Sequence, residues 1–294
     1  MTSTTKLSEK LIEYFLFFCA LVTILTTVGI IVVLAINSFS FFSEVSFLDF
    51  ITGTKWAPVI SNDYGILPLL TGTLLTTVVA MFIALPVGLS IALYLSQYAD
   101  SKMRKIIKPL LELLAAVPTI VYGFFALTIV TPFLKTIYPE LEIFNSLSAG
   151  IVMGIMIIPY VSSLSEDALF AVPKSLREAA YGMGSTRLQA AFRVVLPAAS
   201  SGIIVSVILA ISRAIGETMI VAIAAGQQPT LTLNPSVAIQ TITSYIVQIS
   251  KGDVPRDSIA YNSIFAAGIT LFVITFILNN ISFYIKRKYQ EQYD

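Results

Sequence analysis

The chain has 294 residues, of which 56% are hydrophobic and 12% charged, with a net charge of +1. Soluble domains carry about 25% charged residues, so this chain falls outside that class, and the near-zero net charge excludes the basic footprint of a nucleic-acid binder. With no histidine and a single cysteine, Cys19, an intramolecular disulfide, a His/Cys metal site and a Cys–His catalytic pair are excluded.

Apolar runs of 18 residues or more recur along the chain, which places it in a membrane. After a polar start, residues 11–36 form a first span, too long for a signal-peptide core and expected to be retained. Residues 37–64 form a loop with Glu44, Asp49, Asp63 and the only tryptophan, Trp56, which is either an interface anchor or part of the loop packing, the anchor being the preferred reading. Residues 65–98 exceed the roughly 20 needed to cross, and Pro86 with Gly88 marks a kink. Residues 100–109 form a short basic connection, and 110–134 a third span interrupted by Pro118 and Gly123. A loop with Glu140 and Glu142 leads to a fourth span at 147–164, with Pro159 near its end. A long polar loop, 165–199, precedes a fifth span at 200–225. A second polar loop, 226–258, precedes a sixth span at 259–285. The expected fold is an all-α membrane protein with six transmembrane helices, since six strands could not close a barrel of this length. Residues 1–64 are expected to form an N-terminal helix and loop, and 65–294 a core of five spans that includes the loop 165–199.

Loop charge sets the orientation. One side carries Lys6, Lys10, Lys102, Arg104, Lys105, Lys108, Lys174, Arg177, Arg187, Arg193, Lys286, Arg287 and Lys288; the other carries Lys55, Lys135, Lys251 and Arg256. Thirteen against four predicts that both termini and the loop 165–199 are cytoplasmic.

Within that loop, residues 172–180 read as a helix, with Pro173 in its first turn and Gly182 or Gly184 at its C-cap. A short exposed helix is marginal in water, and the small Ala179 and Ala180 leave a low surface for another protein. The run Glu178-Ala179-Ala180, then Gly184, then Val194-Val195-Leu196-Pro197 resembles the EAA signature of ABC importer membrane subunits, with Val194 where that pattern has isoleucine. The resemblance implies a type I ABC importer permease fold. It also implies that Glu178, Ala179, Ala180 and Gly184 belong to a helix that couples to a separate ATP-binding cassette subunit. The chain has no P-loop of its own, and neither a cofactor nor an enzymatic activity is expected.

The fifth span carries Arg213 and Glu217, and ionisable groups inside a membrane are costly and by default functional. On a continuous helix they are neighbours at i and i+4. At about 100° per residue, Gly202, Ser206, Ala210, Ala214 and both charges share a stripe roughly 120° wide, where another helix can approach closely. Two readings fit the pair. One is an ion pair that sets helix packing. The other is an oxyanion site, in which the guanidinium fork meets a tetrahedral anion and the carboxylate accepts the proton that phosphate, unlike sulfate, still carries.

The segment Ser212-Arg213-Ala214-Ile215-Gly216-Glu217-Thr218-Met219 resembles the permeases of phosphate transporters, and Met219 points to their PstC type. Glu112, Pro118, Tyr122 and Gly123, then Met156-Ile157-Ile158-Pro159 and Glu166-Asp167-Ala168-Leu169, extend that resemblance. It implies substrate binding by Arg213 and Glu217 in a cell membrane. The implied partners are a PstA-type sister permease, ATP-binding cassette subunits and an extracytoplasmic phosphate-binding protein. A permease for another oxyanion, an ion-coupled secondary transporter and a membrane-embedded enzyme are the alternatives. Glu112 is expected to pair structurally, with contact to solute as the other possibility. Thr76, Thr77, Ser162 and Ser163 are expected to bond to their own helices, and Ser212 to face away from the stripe.

Overall fold

A computed structural model describes residues 3–289, with side chains from residue 9 to residue 288. The extreme termini and the side chain of Lys6, which enter the charge count, lie outside the described residues. The chain opens with α1 (Ser3–Phe42), a 40-residue helix. Its described apolar side chains are mostly exposed up to residue 36, as on a helix that faces lipid. It packs against α14 (Ile259–Tyr289).

A small folded cap follows. Helix α2 (Phe47–Thr52) leads into a two-stranded hairpin, β1 (Trp56–Ala57) and β2 (Asp63–Tyr64), with Trp56 opposite Tyr64. Trp56 is only 3% exposed, which corrects its reading as an interface anchor. Its ring meets Tyr245 edge-on at 4.9 Å and Phe50 at 6.2 Å. Edge-to-face aromatic packing of this kind favours burial over a place among headgroups. Tyr245 lies on α13 (Ile242–Lys251), a helix inside the polar loop 226–258. Its hydroxyl shares a 2.6 Å hydrogen bond with Ser263 of α14, and burial pushes its phenol up.

The centre of the bundle is α3 (Leu67–Gln97) against α7 (Ser146–Phe170), the most extensive helix pair. α3 runs unbroken through Pro86, because membrane helices tolerate one lost backbone bond. Small residues let the two backbones approach. A Cβ on Gly154 would lie 2.7 Å from the Ala80 carbonyl oxygen, so only hydrogen fits. Ala80, Ala84, Ala149, Val152 and Ile157 are fully buried around this contact.

Residues 100–109 are not a connection. They open α4 (Ser101–Ala116), whose first turn is capped by Asp100 accepting from the Met103 amide at 2.8 Å. The third span begins later, as α5 (Thr119–Phe125), a π-helical turn (Ala126–Val130) and α6 (Thr131–Ile137). Val117, before Pro118, is extended, as the residue before a proline prefers. The π-helical turn ends two residues before Pro132, which lacks an amide hydrogen.

Beyond α7 come α8 (Lys174–Gly182), α9 (Arg187–Ala190), a second π-helical turn (Ala191–Val195), α10 (Leu196–Ala198) and α11 (Ser200–Ile215). The axis bends by 71° between Arg187–Ala198 and Ser200–Ile215, next to Pro197. The fifth span is not one helix either: it breaks after Ile215 and resumes as α12 (Met219–Ala224). The described residues hold five helices long and apolar enough to cross a membrane, or six when the bent pair counts as one span.

The loop after α12 is laced into the bundle. The Leu147 amide donates to Pro235 at 2.8 Å, Ile239 to Ala225 at 2.9 Å, and Ala238 to the Glu142 carboxylate at 2.7 Å. These bonds satisfy backbone groups that lie beside apolar helices.

Gly154→Ala is expected to push α3 from α7 and lower stability by about 2 kcal/mol, read as a lower unfolding temperature in detergent. Gly29→Ala, whose Cβ meets nothing within 4 Å, is expected to leave that temperature unchanged or slightly raised.

Candidate functional site: a charged cleft and an exposed helix

The small-residue stripe on α11 is filled by the chain's own α7. Ser206, Ala210 and Ala214 are buried. A Cβ on Gly202 would lie 2.6 Å from that of Ala168, and Ser206 shares a 2.7 Å hydrogen bond with Ser165. Ser212 faces away from the stripe, as expected, and donates to Asn279 of α14 at 3.4 Å.

The two charges part company at the helix break. Arg213 lies in the last turn of α11, exposed, with no salt bridge or side-chain hydrogen bond among the described residues. Glu217 lies beyond Gly216 and is 8% exposed. Its Oε1 accepts from the amides of Met219 at 3.0 Å and Ile220 at 3.3 Å. Its own carbonyl accepts from the Thr243 hydroxyl at 2.7 Å. The sequence-derived i, i+4 pair on one helical face is therefore corrected. A helix that starts inside an apolar bundle exposes unsatisfied amides, and the Glu217 carboxylate supplies their acceptor.

Arg213 lines a cleft of ≈ 350 Å³ between three helices. α4 contributes Lys108 and Glu112, and α7 contributes Tyr160, Ser163 and Glu166; Glu217 is not among the lining residues. Glu166 is 2% exposed. Its two oxygens meet Arg104 at 3.0 Å and Lys108 at 3.1 Å. Arg104 also donates to the Leu95 carbonyl at the end of α3, at 3.1 Å, and sits 4.8 Å from the centre of the Phe170 ring. One carboxylate thus gathers α4 onto α7, with Arg104 tying in α3.

Sequence reasoning passed over this clamp. Its signal was present: Arg104 and Lys108 are four apart on α4, and Glu166 follows directly on the apolar run of the fourth span. Assigning 100–109 to a connection hid it. Glu112 forms no ion pair among the described residues, so the structural pairing expected of it is not found among them. Thr76 and Thr77 donate to Gly72 and Thr73, and Ser162 to Pro159, as expected. Ser163 instead stands exposed at the cleft.

The second feature is α8. Pro173 caps its start and Gly184 ends it, with φ +84°. The Ser185 amide donates to Ala180 at 3.0 Å and the Gly184 amide to Tyr181 at 2.9 Å, the paired bonds of a Schellman motif. Of the two candidate glycines, it is Gly184 that the left-handed position requires. Ala180 is buried, while Glu178 and Ala179 face outward. Arg177 donates to the Leu169 carbonyl at 2.8 Å, and Val172 and Leu176 pack with Leu169 and Val195. Tyr181, Met183, Leu188 and Phe192 leave large apolar groups exposed around this helix, Met183 by 88%. Such a cluster marks an interaction surface.

Residues 84–291 match the family model described as binding-protein-dependent transport system inner membrane component. The chain belongs to that family. One relative is the phosphate transport system permease protein PstC of Xylella fastidiosa (strain 9a5c), 35% identical over 250 residues, or 78% of this chain and 75% of that protein. A second is the probable ABC transporter permease protein YqgH of Bacillus subtilis (strain 168), 33% identical over 88% of this chain and 84% of that protein. Among solved structures, a bacterial alginate ABC transporter in complex with an alginate pentasaccharide-bound periplasmic protein superposes with a TM-score of 0.65 at 18% identity. The match covers 95% of this chain and 96% of that one. The MetNI methionine ABC transporter, in an inward facing conformation, superposes at 0.55 with 19% identity over 75% of this chain and 94% of that one. At these identities the superpositions establish the fold, that of the type I ABC importer permeases.

Glu166→Ala would leave Arg104 and Lys108 without their carboxylate. Because both cations keep contact with water, a loss of about 2 kcal/mol is expected, read as a lower unfolding temperature in detergent, whereas Glu112→Ala should shift it by less than about 0.5 kcal/mol.

Proposed function

We propose that the chain is the membrane-spanning permease subunit of an ATP-driven importer of inorganic phosphate, and that Arg213 contacts the anion. The observation that carries the reading is the guanidinium, unpaired among the described residues, in a charged cleft between α4, α7 and α11, in a chain whose relatives include phosphate permeases. An uncompensated cation at such a position is costly, and an anionic solute relieves that cost on arrival. Arginine offers a planar fork of donors suited to tetrahedral oxyanions. Glu217 contributes from behind: by capping α12 it fixes the break that leaves Arg213 at the end of its helix.

The thirteen-to-four distribution of basic residues supports cytoplasmic termini and a cytoplasmic α8. On this reading α8 docks into an ATP-binding cassette subunit through Glu178, Ala179 and Ala180, with Gly184 shaping the exit. A PstA-type sister permease completes the pathway. A phosphate-binding protein delivers the anion on the opposite side, where the aromatic cap and α13 lie. Residues 1–64 add a helix and loop to the five-span core at 65–294. No bond in the solute is made or broken. Movement of α8 biases the bundle between two access states, and the solute moves because the two states bind it differently.

Two results are expected from the complete importer in proteoliposomes. Arg213→Ala should lower phosphate uptake at least about tenfold, equivalent to about 1.4 kcal/mol, while the complex still assembles with an unchanged unfolding temperature. Gly184→Ala places a side chain at positive φ at a cost of about 1 kcal/mol and should weaken retention of the ATPase subunits. Gly182→Ala, with nothing within 4 Å of the added carbon, should not.

A further inference from the structure

The cleft contains two carboxylates, and they are in different states. Glu166 is buried and both of its oxygens are taken, by Arg104 and Lys108. Glu112 is exposed at the cleft and its carboxylate has no ion pair or hydrogen bond among the described residues. A plain solvent-facing charge on an amphipathic helix is the simplest account of Glu112, but the register of α4 opposes it. Arg104, Lys108 and Glu112 stand at i, i+4 and i+8, on one face. The first two are bonded to α7, so the face that carries Glu112 is the one turned to the bundle.

We infer that Glu112 is the specificity-determining carboxylate of the anion site, accepting the proton of hydrogen phosphate while Arg213 and Lys108 balance its charge. This rests on the phosphate reading above and names the group that reads the solute. Arg213 and Lys108 can only donate hydrogen bonds, and the hydroxyls of Tyr160 and Ser163 can donate or accept. A cleft of these groups alone would take sulfate as readily as phosphate. An ionised carboxylate only accepts, so it admits an oxyanion that brings a proton and opposes one that does not. Glu217 does not serve here, because its Oε1 is held by two amides and its side chain is outside the cleft. Lys108 keeps donors free beyond its single bond to Glu166, with its side chain 42% exposed.

The test uses the assembled importer in lipid nanodiscs, carrying Cys19→Ser and Ala115→Cys, since Ala115 also lines the cleft. The rate at which a small cationic methanethiosulfonate reagent modifies position 115 is measured with phosphate, arsenate or sulfate at equal ionic strength. With Glu112 present, phosphate and arsenate should slow the reaction and sulfate should not. Glu112→Gln offers an amide that can donate, so sulfate should then protect to within about twofold of phosphate. Glu217→Gln should leave the phosphate-over-sulfate order intact. The inference is overturned if phosphate gives no protection, if sulfate protects equally with Glu112 in place, or if Glu112→Gln leaves the order unchanged. It is also overturned if Glu217→Gln, and not Glu112→Gln, abolishes the order. Phosphate uptake by the unsubstituted importer is measured alongside. Uptake with a failed order removes only the role of Glu112, whereas absence of uptake removes the phosphate reading itself.

Discussion

A single buried carboxylate, Glu166, stands at the meeting point of α3, α4 and α7, and the cleft exists because of it. α4 is amphipathic, and none of its side chains is fully buried, so apolar packing alone gives it little reason to lie where it does. The two contacts from Glu166, at 3.0 and 3.1 Å, seat it. Removing the Glu166 carboxylate from water is costly, and a buried charge is tolerated only when its partners satisfy it. Here both oxygens are satisfied, and the same Nη2 of Arg104 that meets Glu166 also donates to the Leu95 carbonyl, with the guanidinium over the face of Phe170. The same end of α7 receives Arg177 from α8 at the Leu169 carbonyl. α8 and the wall of the cleft are therefore anchored within four residues of each other on one helix.

The second constraint is the break in the fifth span. A continuous helix from 200 to 225 would align Arg213 with Glu217 and let them neutralise each other. Ending the helix at Ile215 gives each charge separate work. Glu217 meets the exposed amides of α12, and Arg213 keeps its donors for the cleft. The break is held from the other side by Thr243, which donates to the Glu217 carbonyl from the start of α13. A hydroxyl on α13, from the polar loop 226–258, thus supports a turn inside the bundle.

Much of the fold was legible in the sequence. Apolar run length located the first, second, fourth and sixth helices. Glu178-Ala179-Ala180 with Gly184 located α8, because a left-handed C-cap leaves a glycine at a fixed distance from the helix it ends. Arg213 was legible for a similar reason: a charge in an apolar run is rare. What hydropathy could not show was where a run stops being one helix. Residues 110–116 are apolar enough to read as the start of a span, yet they complete α4, because Pro118 forces Val117 out of the helical region. Gly216 looked neutral in a strongly helical run, and the competing interaction, a side-chain acceptor for the next helix, depends on tertiary placement. The clamp at Glu166 was hidden in the same way, since its partners lie some sixty residues earlier in the chain. Trp56 was misread because an aromatic cluster built from four separate segments leaves no local pattern.

The account turns on the separation of Arg213 from Glu217 and on an anion lodging at the former. Its most direct test is a crystal structure of the complete importer trapped with arsenate, using the anomalous signal of arsenic to place the anion. The account predicts a peak in the cleft between Arg213 and Glu112, with the Glu217 carboxylate still on the amides of Met219 and Ile220. A peak outside that cleft, or a Glu217 carboxylate turned from α12 onto the anion, would contradict it.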